Sequence, residues 1–153
     1  MNQLYETDAL AWAEQQAGLL RRLAAGERLN EAVDWPNVIE ELQDVGLSEL
    51  RTCQSLLTQA MTHLLKLHAW PTSQSIQHWR GETGTFLDDA ERRFTPSMRQ
   101  RIDLGELYAK ALRRARTSEN AAPPHPLPDS CPFTLLELLE GDVAELSAKL
   151  TGF

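Results

Sequence analysis

The stretch VIEELQDVGLSELRTCQSLLTQAMTHLLKL, residues 38–67, decides the fold. Its apolar or small residues form one continuous helical stripe, made of positions 38, 39, 42, 45, 46, 53, 56, 57, 60, 61, 64 and 67. Because the apolar positions before and after Gly46 lie on the same side of one helix, we predict one long helix through this residue. Gly46, which has no side chain, would let a neighbouring backbone approach closely. The alternative is a helix that ends at Gly46 and a second helix that Ser48 caps.

Helix signals continue upstream of this stretch. Residues 10–23 follow a helical period between a cap at residues 7–8 and a stop at Gly26. Asp34 is positioned to cap the long helix. Pro71 should end that helix, because the residue before a proline is driven out of helical geometry.

The chain beyond Pro71 predicts two further main helices. A cap at residues 72–73 precedes a helical period over residues 76–94. Asp103 and Glu106 then form a capping-box-like pair for the next helix.

A proline-rich stretch, residues 118–133, separates those helices from the end of the chain. We expect it to be extended and to cross the bundle, held there by Leu127 and Phe133. Capping boxes that begin at Thr134 and Asp142 predict two short helices after it.

The chain as a whole is predicted to be all-α. We expect one helical domain over residues 1–153: a bundle of about four main helices in residues 7–117, the crossing segment 118–133 and a helical tail 134–153. Two cysteines far apart in sequence indicate no disulfide framework, and no apolar run is long enough to span a membrane. With no signal peptide visible, the expected location is the cytoplasm.

Charge is distributed unevenly along the chain. The net charge is −7, yet residues 92–116 hold eight basic and two acidic side chains, whereas residues 1–50 hold three basic and ten acidic ones. A basic block can mark a nucleic-acid site. Because an acidic chain repels phosphates at long range, we favour the interpretation that the basic block complements the acidic one within the fold.

Three residues of the long helix are of the types found in metal and catalytic sites. Glu49 and His63 lie on the stripe and Glu41 borders it, at about 100° per residue. Along the helix, Glu41 is roughly 12 Å from Glu49, which is roughly 21 Å from His63, so no single metal ion joins them. Facing Glu-x-x-His pairs, nucleophile elbows and phosphate-binding glycine loops are absent as well. We predict no catalytic residues, no metal site and no cofactor.

The carboxylates on the long helix are better explained as ion-pair partners of the basic block. We expect Glu41 and Glu49 to face it, with candidate partners Arg92, Arg93, Arg99, Arg101, Arg113 and Arg114. Breaking a partly buried pair costs about 3–5 kcal/mol, and breaking an exposed one costs at most about 1 kcal/mol. Glu49→Ala should therefore destabilise the protein more than Glu40→Ala.

Histidine and aromatic side chains provide the other candidate site. His63 is predicted to be a core histidine bonded to a neighbouring helix, and with Trp79 and Tyr108 it could also line a pocket between helices. A zinc site of His63 with Glu41 or Cys53 is a minor alternative. Core packing is expected for four aromatic residues: Trp12, Trp35, Trp79 and Tyr108.

An ordered set of short motifs runs through the chain. It consists of Tyr5, Asp8, Trp12 and Gln16, Ile39-Glu40-Glu41, Gly46 and Glu49, His63-Leu64-Leu65-Lys66, Trp79, Tyr108 and Cys131-Pro132-Phe133-Thr134-Leu135. Together these motifs resemble the DUF29 family of small bacterial proteins over roughly residues 4–140. The resemblance implies an all-helical bundle in a bacterial cytoplasmic protein and implies no catalytic residues. The chain after Leu139 continues as a dimerisation arm or a packed terminal helix.

Three functions remain in competition. The leading hypothesis is a non-enzymatic protein-interaction module, which binds a second copy of itself as a homodimer or binds another protein. The second is an enzyme or a bundle that binds a small ligand or metal, with its pocket near His63, Trp79 and Tyr108. The third and weakest is nucleic-acid binding through residues 92–116.

Overall fold

The computed structural model describes residues 2–119 and 122–152. Asn120 and Ala121, which belong to the predicted proline-rich segment, lie outside the described residues, as do Met1 and Phe153. The described ranges contain helices and no strand, which confirms the all-α fold class. No helix in these ranges is long and apolar enough to cross a membrane.

Seven α-helices form the described part of the chain. They are α1 Gln3–Thr7, α2 Ala9–Ala24, α3 Trp35–Ala69, α4 Ile76–Arg93, α5 Leu104–Arg116, α6 Leu135–Glu140 and α7 Val143–Ala148, with 3₁₀ turns at Asn30–Ala32 and Pro96–Met98. α1 was not predicted, because five residues are too few to display a helical period.

α3 is one helix of 35 residues, as the uninterrupted stripe predicts. It passes through Gly46 without a break and ends at Ala69, before Trp70-Pro71. The alternative of two helices divided at Gly46 is therefore wrong. Within one chain, no backbone among the described residues makes the close approach that we expected at Gly46, since no described atom would lie within 4 Å of a Cβ built there.

Side-chain caps account for most of the helix starts. The Asp8 carboxylate accepts from the Ala11 N–H at the start of α2, and the Asp103 carboxylate accepts from the Glu106 N–H at the start of α5. Both predicted capping boxes, at α6 and α7, are confirmed. α4 is the exception: its N-cap is Ser75, which makes no side-chain cap bond, so the predicted cap at residues 72–73 is wrong.

The start of α4 is displaced because a turn follows the end of α3. The Ser73 N–H donates to the Trp70 carbonyl at 3.1 Å, and the Ile76 N–H donates to the Ser73 carbonyl at 3.2 Å. Both are i, i+3 turn bonds, whereas the i, i+4 bonds of an α-helix begin with the Trp79 N–H, which donates to the Ser75 carbonyl at 2.9 Å.

The chain groups into two compact units, the N-terminal unit Met1–Ser48 and the C-terminal unit Glu49–Phe153. The N-terminal unit has a small core of Trp12, Val33 and Val38. The larger core of the C-terminal unit includes fully buried side chains of α3 such as Leu57, Met61 and Leu64. Leu127 and Phe133 are buried in that larger core, as predicted for the proline-rich segment. The organisation of residues 1–153 as a single domain stays a prediction.

Candidate functional site

Glu41 binds a tyrosine of its own unit. The Tyr5 O–H donates to Glu41 Oε1 at 2.7 Å, and the Tyr5 ring meets the Trp12 ring edge-on at a centroid distance of 4.8 Å. The hydrogen bond to Glu41, followed by burial, raises the pKa of Tyr5 to about 12. Among the described residues Glu41 has no ion-pair partner, so the expected arginine is replaced by a phenol from the unpredicted helix α1.

A polar network fixes the beginning of α3 in the N-terminal unit. Asp34 Oδ2 accepts from Trp12 Nε1 at 3.0 Å and from Asn37 Nδ2 at 2.8 Å, while the Asp34 N–H donates to Gln16 Oε1 at 2.8 Å. The Asn37 bond, with further help from Trp12, lowers the pKa of Asp34 against the effect of burial. Spacing alone could not reveal this network, although Trp12 and Gln16 lie one helical turn apart.

Glu49 meets one arginine of the basic block at the surface. Arg93 Nη1 lies 3.4 Å from Glu49 Oε2, and both side chains are about half exposed. Arg92 pairs instead with Asp89 on its own helix, and the Arg113 side chain is exposed on α5. Among the described residues, Glu49–Arg93 is therefore the one pair that joins the expected carboxylates to the basic block.

Because this pair is exposed, we expect a small stability effect. Glu49→Ala and Glu40→Ala should differ by less than about 1 kcal/mol in the free energy of unfolding, since water screens the pair. Urea denaturation of the two variants checks the expectation. A loss of about 3–5 kcal/mol for Glu49→Ala alone would indicate the partly buried pair that the sequence suggested.

His63 is bonded to the neighbouring helix α4. Its Nε2 lies 2.7 Å from Glu82 Oε2, its Nδ1 lies 3.0 Å from the Gln59 carbonyl, and its ring meets Phe86 edge-on. The other oxygen of Glu82 lies 3.1 Å from His78 Nε2. Among the described residues no group of three His, Cys, Asp or Glu side chains is arranged to hold a metal ion.

Trp79 and Tyr108 belong to the core of the C-terminal unit, and each has its own polar partner. Lys66 Nζ lies 4.3 Å from the Trp79 ring centroid, and the Tyr108 O–H donates to the Pro128 carbonyl at 2.5 Å. Burial raises the pKa of Tyr108, which keeps its phenol neutral. His63 is half-buried and bonded to Glu82, and the pocket near these three residues stays a prediction.

An exposed apolar face occupies the first part of α3. Trp35, Ile39, Leu42 and Val45 have exposed fractions of 39%, 52%, 70% and 65%. They follow each other at helical spacing, and we call these four residues the apolar face. Sequence periodicity predicted a buried stripe here and placed Trp35 in the core, and both predictions are wrong for these four residues. The small core of the N-terminal unit includes Val38 but does not cover the apolar face.

Comparisons with known proteins assign a family and a fold. The profile described as "Domain of unknown function DUF29" matches residues 4–144, which confirms the resemblance. An α-helical protein of unknown function from Rhodospirillum rubrum, known from a crystal structure, is 29% identical with a TM-score of 0.74; the match covers 98% of this chain and 99% of that one. No curated protein matches the chain. These matches support the helical fold over nearly the whole chain, and none of them names an activity.

Proposed function

The chain belongs to the DUF29 family, and because the function of that family is unknown, we propose from the chain's own side chains that it is a non-enzymatic protein-interaction module. Its binding surface is the apolar face of α3, and its partner is a second copy of the same chain. One observation carries the proposal: four large apolar side chains are exposed side by side on one helix. A bacterial, cytoplasmic setting, expected from the family resemblance, is part of this proposal.

The geometry of α3 makes these four side chains one surface. At about 100° per residue, Trp35, Ile39, Leu42 and Val45 fall within an arc of about 120°. Isolated exposed apolar residues are common on proteins, whereas contiguous ones typically mark an interaction surface. Each side chain of this size contributes about 1.5–3 kcal/mol when it is fully buried. A partner that buries these four side chains therefore stabilises the complex through the hydrophobic effect.

The placement of charge favours a second copy as that partner. Residues 35–46 carry three charged side chains, Glu40, Glu41 and Asp44. Glu40 and Asp44 fall about 140° and 180° from Trp35, on the other side of the helix. Glu41 falls about 40° beyond Val45, at the edge of the face, where its carboxylate accepts from the Tyr5 O–H. Two copies can thus pair face to face without burying like charges, whereas a charged partner finds no opposite charge on the face.

The open position at Gly46 suits such a pairing. Gly46 falls within the same arc as the apolar face, and no described atom would come within 4 Å of a Cβ there. A second α3 crossing at this point could approach the backbone closely, as small residues allow at helix crossings. A self-complementary patch of this kind suits a two-fold dimer.

The test is oligomeric mass as a function of concentration, by native mass spectrometry and analytical ultracentrifugation. We expect the wild type to form a dimer in the micromolar range and Leu42→Glu to be a monomer, because a carboxylate would be buried in the interface. The matched control is Gln15→Glu, which adds the same charge at an exposed position of α2 and should leave the dimer intact. A wild type that stays monomeric, or a Leu42→Glu variant that dimerises equally well, would overturn the proposal.

A further inference from the structure

A cleft in the C-terminal unit combines basic side chains with an apolar wall. It lies beside the end of α3, the start of α4 and the end of α7, and has a volume of about 510 Å³. Its polar lining includes His68, Arg80, His125 and Ser147, and hydrocarbon side chains form much of the rest. This volume is within the range of small-molecule sites, which pair an apolar wall with a few polar groups.

The charge of this cleft is opposite to that of the chain. Acidic residues outnumber Lys and Arg by 22 to 15, yet the described residues that line the cleft include no Asp or Glu. Arg80 is exposed and has no ion pair among the described residues. Asp142 lies in an adjoining cleft that also contains Arg80, where its carboxylate accepts from the Glu145 N–H at 2.8 Å. Arg80 thus keeps its donors available for an anion.

The two histidines of the cleft lie close together. Their ring centroids are 5.8 Å apart, and His68 Nε2 is buried without a hydrogen-bond partner among the described residues. Burial lowers the pKa of His68, and the nearby His125 lowers it further. A hydrogen bond to the Pro126 backbone raises the pKa of His68 but does not cancel this effect. A buried polar nitrogen without a partner is unusual, and a bound anion would favour the charged form of the ring.

We propose that this cleft binds the phosphate group of a small organic phosphate monoester. Arg80 is its main contact, and the Ser147 hydroxyl is a further donor. The imidazoles donate as protonated rings, the form that a bound anion favours, and the apolar wall holds the carbon skeleton. A phosphate is favoured over a carboxylate because a phosphate monoester offers three terminal oxygens, one more than a carboxylate, and so can accept from more of these donors.

Isothermal titration calorimetry in a phosphate-free buffer tests the proposal with three probes: phenyl phosphate, inorganic phosphate and benzoate. We expect phenyl phosphate to bind most tightly, since it alone has both the phosphate and the apolar part. Arg80→Ala should weaken that binding at least about tenfold, because a charge-assisted hydrogen bond is lost. The exposed Arg80 side chain makes no hydrogen bond or ion pair with the described part of the chain, so this variant should stay folded.

Two further variants make the test specific. His125→Gln should also weaken phenyl phosphate binding, whereas Arg101→Ala, an exposed arginine of the same unit outside the cleft lining, should bind like the wild type. Absence of saturable binding, equal affinity in Arg80→Ala, or benzoate binding as tight as phenyl phosphate would overturn the proposal. Because the apolar face of α3 lies in the other unit, dimer formation can fail without affecting this result.

Discussion

Leu64→Ala should lower the free energy of unfolding by about 2–5 kcal/mol, whereas Leu42→Ala on the same helix should change it by less than about 0.5 kcal/mol. Leu64 is fully buried in the core of the C-terminal unit, so its truncation removes packing contacts and leaves a cavity. Leu42 is 70% exposed, so the same truncation removes little packing within the monomer. Urea denaturation of the two variants measures the difference.

The comparison has to be made at a concentration where the protein is monomeric, because dimer formation adds stability that depends on concentration. At higher concentration, Leu42→Ala should lose part of that added stability and Leu64→Ala should retain it. If Leu42→Ala were as destabilising as Leu64→Ala in the monomer, the first part of α3 would be packed within the chain and the proposed binding surface would not exist.

The second large effect concerns the N-terminal unit, where Trp12→Ala should cost about 3–5 kcal/mol. Trp12 is buried, its ring packs edge-on against Tyr5, and its Nε1–H donates to Asp34. The substitution removes the largest side chain of a three-residue core and takes a donor from the carboxylate that organises the start of α3. We expect this unit to open before the C-terminal unit does.

Hydrogen exchange resolved by peptide detects such local opening. Protection in residues 1–34 should fall in Trp12→Ala, while protection in α4 and α5 should stay near the wild-type level. Leu42→Ala is the control in the same unit, because this side chain is 70% exposed and its truncation should affect dimer formation rather than stability. Equal loss of protection throughout the chain would show that the two units unfold as one.

Local signals in the sequence were sufficient to predict most of the helices. The continuity of α3 followed from its stripe, and the starts of α2, α5, α6 and α7 followed from side-chain caps that act within three residues. α1 is too short to show a period, and α4 begins without a side-chain cap, so sequence reasoning missed the first and misplaced the start of the second.

The candidate sites could be predicted only in part, because they depend on contacts between distant segments. The partner of Glu41 comes from a helix that the sequence did not reveal, and the partner of His63 is a carboxylate on α4 that no spacing rule singles out. The cleft around Arg80 was missed altogether, since His68 and His125 are 57 positions apart and meet only in the folded chain.

The sequence by itself determined that the protein is all-helical and that one apolar stripe runs along an unbroken α3. Both follow from i, i+3 and i, i+4 spacing, which is a property of a single helix. Only the tertiary structure decided which part of the stripe is buried, because burial requires another element to cover the helix. The packed C-terminal unit covers Leu57 and Leu64, whereas the small N-terminal unit leaves Ile39 and Leu42 exposed.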